Sequence, residues 1–254
     1  MKKNLIIFVL IPLGINILFF SLYFSGIPFL QQLIAPKISH IPEPSWREFG
    51  LVELSQDFIL LLTVLILICA FFYRKNLKER LFFLIGTLFI LFLLFEEIDY
   101  GLHFYHYFSE TRSEIVRLNW HNQHTFTDRE NGRYLGQLGD LLLVVWFLVM
   151  PLVARKAKLA RIRRFIPSPW FIATVVVALA CSQLGHWLED IGLATIDGAH
   201  GLLRGNISEF RETTIYYIGL LYSWQLFKTP TLFKLPLLPE GVEIPQPTDK
   251  MIYH

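Results

Sequence analysis

Six stretches of the sequence, at about 5–25, 57–73, 81–99, 138–154, 169–188 and 213–228, are almost continuously apolar, and polar residues collect between them. About 20 apolar residues are needed for a helix to cross roughly 30 Å of hydrocarbon, so each stretch predicts a membrane-spanning helix. The sixth, with YYIGLLYSWQLF, is the shortest and most aromatic. The first follows Met-Lys-Lys as a signal peptide would, but its apolar run is long and no A-x-A-like site follows, which predicts a retained anchor.

The polar connections set the orientation. RKNLKER (74–80) and RKAKLARIRR (155–164) are short and densely basic, as cytoplasmic loops are, and Lys2, Lys3, Lys228 and Lys234 agree with them. Both termini are therefore expected inside. The connections 26–56, 100–137 and 189–212 are longer, mixed in charge and expected outside. Within them SETRSEIVRLNWH (109–121) predicts an interfacial amphipathic helix, whereas the proline-interrupted first outer loop, with PFLQQLIAPKI and IPEPSWREFG, predicts irregular backbone. The fold expected is an all-α, six-helix transmembrane domain over 1–228, followed by an extended, proline-rich cytoplasmic tail over 229–254.

Composition agrees with a multi-pass protein of the cell membrane. The chain is 54% hydrophobic and 17% charged, with a mean hydropathy of +0.46. Its net charge of +2 gives no reason to expect a nucleic-acid partner. Cys69 and Cys181 lie inside apolar runs and suit small core residues better than a disulfide or metal thiolates.

Candidate chemistry gathers at the outer ends of the helices. Glu96, Glu97, Asp99, His103 and His106 follow the third apolar stretch; His186, Glu189 and Asp190 end the fifth; Glu209 and Glu212 open the sixth. At about 100° per residue, Glu96, Asp99, His103 and His106 fall within roughly 80° of one continuous helix, with Glu97 outside that arc. Ser182, His186, Glu189 and Asp190 share about 100°, and Glu209, Glu212 and Tyr216 about 60°. Carboxylates and imidazoles from several helices are how bundle proteins hold iron or zinc. We therefore expect a divalent metal, zinc or iron, on Glu96, His103, His106 and His186, with Asp190 or Glu212 as base and Glu97 as a further catalytic candidate. With no cysteine in the set, an open catalytic site is expected rather than a closed structural one. The plainer alternative is that the same groups form caps, interhelical hydrogen bonds and ion pairs with Arg112, Arg117, Arg204 and Arg211. Asp140 suits either a helix N-terminus or the same cavity.

EEIDYG (96–101) followed by NWHNQH (119–124) resembles an uncharacterised group of bacterial membrane proteins, in which a Glu-Glu-x-x-aromatic-Gly segment precedes a polar loop. That resemblance covers those two segments and implies no activity. Ser182, His186 and Asp190 also resemble part of the Ser, Asp and His zinc set of the membrane hydrolase superfamily that includes alkaline ceramidases. This chain has six predicted helices instead of seven and lacks a late H-x-x-x-H, so the ligand set does not carry over.

Three functions follow as expectations. The first is a metal-dependent enzyme acting on a lipid or membrane-associated substrate at the extracytoplasmic face, hydrolysis ranking above hydroxylation because a hydroxylase needs an electron donor. The second is a subunit of a larger assembly, binding a cofactor or docking protein partners through its outer loops and tail. The third is a transporter, disfavoured because the charges gather at one face.

Overall fold

A computed structural model describes residues 2–34, 36, 49–109, 139, 141–153, 162–191 and 207–233, without the side chains of 103, 189, 207 and 208. The described residues form helices and no strand: α1 (Lys2–Tyr23), α2 (Pro28–Ile34), α3 (Leu51–Tyr73), α4 (Leu77–Glu97), α5 (Leu102–Ser109), α6 (Leu141–Val153), α7 (Trp170–Asp190) and α8 (Ile207–Lys228). The fold class is all-α, as expected. The helix α2 corrects the expectation of irregular backbone after the first span. The Pro28 ring supplies its helical φ at the first position, and the Gln31 amide ties the helix back to the Tyr23 carbonyl at 3.1 Å. The predicted helix at 109–121 lies outside the described residues beyond Ser109.

By length and apolarity α1, α3 and the Trp170–Leu188 part of α7 can each cross a membrane, and α4 together with Asp99–Ser109 passes as one bent pair. At 22 residues α8 is long enough, but it is more polar. Its position accounts for that composition. It packs against α3, α7 and α1, while α4 packs on α3 and α6 on α7. A helix ringed by other helices need not present an apolar face all round, and its buried Thr213, Thr214 and Ser223 meet protein instead of lipid.

Two helices carry the same local irregularity. The backbone widens to a π-helix over Ile6–Leu10 in α1 and over Val145–Val149 in α6, and in each a proline, Pro12 or Pro151, comes two residues later. Proline has no N–H for the carbonyl four residues back, and its ring crowds that carbonyl, so the helix widens ahead of it. In α1 the freed carbonyls are taken by other helices: the Tyr217 hydroxyl donates to Ile7 at 2.9 Å and the Thr174 hydroxyl to Phe8 at 2.7 Å. Phe8 and Phe147, each four residues before its proline, both pack on the wholly buried Phe171 of α7, with ring centroids 5.0 and 5.4 Å away.

Between α4 and α5 the chain turns by 63°. Asp99, Tyr100 and Gly101 have φ of 47°, 55° and 89°, the left-handed region that glycine enters freely and other residues enter at a cost of about 1–2 kcal/mol each. Here the sequence-based phase fails. Residues 96–106 are not one helix, so His103 and His106 belong to a separate element from Glu96.

Candidate functional site

The bundle has two polar ends, and the geometry of each is built by α8. At its C-terminus the Arg74 guanidinium, 5% exposed, donates to the carbonyls of Leu226 and Phe227 in the last turn and of Thr229 and Pro230 just beyond it, where a helix end leaves carbonyls short of donors. Glu79 lies 3.5 Å from Arg74 and accepts the Leu232 N–H at 2.9 Å, and Leu232 is buried with Leu67, Ala70 and Phe83. Arg164 donates to the Thr231 carbonyl and hydroxyl. Tyr222 and Gln225 of α8 bind the backbone of Phe165 and Ile166, and Gln225 accepts the Ser168 N–H. The first five residues of the expected free tail are therefore docked on the bundle.

The opposite end carries the acids. The Tyr216 hydroxyl of α8 donates to Glu97 of α4, joining two helices across the bundle. Glu97, Glu212 and Glu209 are its electrostatic neighbours. One residue away from Glu97, Glu96 is buried and accepts a 2.6 Å bond from the Tyr100 hydroxyl. That bond, with burial and the negative charge of Glu96 and Asp99, holds the Tyr100 phenol above its ordinary pKa. Asp99 is wholly buried on the left-handed turn. On α3 the Gln56 amide, also wholly buried, donates to the Glu209 carbonyl at 3.0 Å, to its carboxylate at 3.3 Å and to the Thr213 hydroxyl at 3.2 Å. Deeper in the bundle the Asn16 amide of α1 donates to the Thr214 hydroxyl at 2.8 Å.

Of the residues expected to act, Glu97 meets α8 directly, and Glu212 and Glu209 lie in the same electrostatic environment. Glu96 is one turn away from Tyr100 and buried. His106 is buried on α5, and neither ring nitrogen has a hydrogen-bond partner among the described residues. His186 and Asp190 are exposed, although Ser182 on the same predicted stripe is buried. The His103 side chain, His121, His124 and Asp140 lie outside the described set. Among the described residues no three His, Cys, Asp or Glu side chains come together as one metal ion requires.

Residues that the sequence did not single out include Asn16, Thr213 and Thr214, each an amide or hydroxyl within an apolar stretch, and Gln56 just ahead of one. That placement was itself a signal, because a polar side chain at membrane depth needs a partner. No protein-family model, curated protein or solved structure matches this chain.

Proposed function

We propose that the chain is a six-span protein of the cell membrane with both termini in the cytoplasm. Its Glu97 end is the extracytoplasmic working site of an enzyme acting on a lipid or membrane-associated substrate, with hydrolysis ahead of hydroxylation. Support for the orientation comes from the bundle's polarity. Arg74, Arg164 and Lys228 share the end opposite the carboxylates, as the preference of basic residues for the cytoplasmic side requires. Under this reading α6 and α8 complete the six spans.

The observation that carries the catalytic reading is the Glu97–Tyr216 pair, a carboxylate and a phenol held together across two helices beside Glu209 and Glu212. A carboxylate so placed takes a proton from water or a substrate hydroxyl as general base, and a phenol donates to an oxygen that gains negative charge. Glu212, an electrostatic neighbour of Tyr216, is the candidate to share the proton. Purified protein is tested on vesicles of mixed lipids by following released product with mass spectrometry. Wild type is expected to release a hydrolysis product, Glu97→Gln to abolish release and Tyr216→Phe to slow it by about 100-fold or more, the low end of the range general acid–base groups contribute. Absence of any product from wild type across the lipid panel removes the enzyme reading. Elemental analysis of the same preparation, repeated on His106→Ala, asks separately whether zinc or iron accompanies the activity.

A further inference from the structure

The end of the bundle away from Glu97 carries an unbalanced positive charge. Lys2, Lys3, Lys75, Lys78, Arg163 and Lys228 are all exposed there. The first residues of α1 reach that end because α1 runs antiparallel to α8, with Asn16 bonded to Thr214 and the Ile7 carbonyl to Tyr217. The acid of this end among the described residues is Glu79, which is buried against Arg74. None of the six exposed cations has a carboxylate within ion-pair distance among those residues. Cations gathered at the end of a membrane span attract anionic headgroups, each strengthening the binding about fivefold near the surface.

Two of the six share one seam. The Arg74 guanidinium holds the carbonyls of Phe227 and Thr229, one on each side of Lys228, and so brings the next residue, Lys75, to the C-terminus of α8. The Lys228 ammonium lies 4.6 Å from the centre of the Trp224 ring and 5.9 Å from that of Phe227. Tyr73 meets Phe227 edge-on, with ring centroids 5.9 Å apart. Tyr73 and Trp224 are 73% and 46% exposed where α3, a helix able to cross a membrane, comes to its end. Aromatic rings with a polar tip lie at the headgroup level, and a lysine beside them extends its ammonium toward phosphate. Charge and aromatic anchors thus meet at one depth.

We propose that this seam of α3 and α8 binds the headgroup of an anionic phospholipid, with Lys75 and Lys228 supplying the charge and Tyr73 and Trp224 flanking the phosphate. With the orientation proposed above, the lipid belongs to the cytoplasmic leaflet. The enzyme reading concerns the opposite end, so either can fail without the other.

The probes are phosphatidylglycerol and phosphatidylcholine with identical acyl chains, titrated separately into the full-length protein in mild detergent and counted by native mass spectrometry. They share a phosphate and differ in net charge. Wild type is expected to bind phosphatidylglycerol about 25-fold more tightly, two cations at about fivefold each. Lys75→Gln combined with Lys228→Gln should bring the two lipids within about twofold of each other, whereas Lys75→Arg with Lys228→Arg should keep the preference. Lys2→Gln with Lys3→Gln removes the same charge from the α1 side of this end and should leave most of the preference intact; the thermal transition of each double variant establishes that it is folded. Equal binding of the two lipids by wild type overturns the proposal. So does a loss of preference as large in the Lys2 and Lys3 variant as in the Lys75 and Lys228 variant, because the binding would then belong to the general field of that end and not to the seam.

Discussion

The two ends of α8 solve the same problem differently. At the Arg74 end a buried cation meets a buried carboxylate, and its two terminal guanidinium nitrogens reach four carbonyls at and just past the C-terminus of α8, while Nε has no partner among the described residues. Opposite charges and several carbonyl acceptors meet there, which is how a buried ion pair recovers its desolvation cost. At the Glu97 end acids outnumber basic groups, the backbone turns through left-handed conformations at Asp99 and Tyr100, and Gln56 Oε1 and both His106 ring nitrogens lack hydrogen-bond partners, all among the described residues. Local strain and incomplete satisfaction persist where something other than stability is served. The strained turn is what sets the Glu97 end apart, and the proposed function rests on that end.

Arg74 should give the largest effect. Replacing it by Ala leaves Glu79 buried without its cation and strips donors from the C-terminus of α8, a loss expected at about 3–5 kcal/mol. Chemical denaturation in detergent, followed by tryptophan fluorescence, measures it. Arg74→Lys should recover only part, because an ammonium cannot reach four carbonyls at once. Next comes Leu232→Ala, which empties a 1% exposed site in the cluster around Phe83 and should cost about 2–4 kcal/mol. If Leu232→Ala is silent, the docked segment after α8 is not part of the stable bundle.

The middle of the molecule sharpens the contrast through a coupling. Thr174→Val deprives the Phe8 carbonyl of its donor and should cost about 1 kcal/mol, in line with single hydrogen bonds between membrane helices. In a Pro12→Ala background residue 12 regains an N–H for that carbonyl, so the same Thr174→Val change should cost close to nothing. A double-mutant cycle with additive effects would show that the hydroxyl does not answer the proline.

Helix type and approximate position were legible because apolar runs mark them: the stretches at 57–73, 81–99 and 169–188 correspond to α3, α4 and α7, with α3 beginning six residues earlier. Their ends were less legible. Glu53 and Gln56 made the first turns of α3 look like loop, whereas both are buried against neighbouring helices. The paired π-helices were foreshadowed by Pro12 and Pro151, but a proline inside an apolar run does not by itself tell a kink from a widened turn. At the acidic end the sequence located the residues and misjudged their phase. EEIDYG reads as continuous helix, with only Gly101 to suggest positive φ; because the chain turns at Asp99, the arc that excludes Glu97 does not apply, and Glu97 is the residue that meets Tyr216. The Arg74 end went unnoticed because its partners are backbone carbonyls more than 150 residues away, which no local pattern encodes.

The smallest expected change in stability is the most informative. Glu97→Gln keeps an acceptor for the Tyr216 hydroxyl and removes one negative charge from beside Glu209 and Glu212. Loss of the charged hydrogen bond and relief of like-charge repulsion oppose each other, so the denaturation midpoint should move by less than about 1 kcal/mol in either direction. Tyr216→Phe lacks the compensating relief and should be the more destabilising of the two, by roughly 1–2 kcal/mol, because the Glu97 carboxylate then loses its donor while its neighbours stay charged. Turnover should order them oppositely, Glu97→Gln being inactive and Tyr216→Phe merely slow. A purely structural pair would instead lose stability with either variant and show no such reversal, which would extend the behaviour of the Arg74 end to both ends of α8.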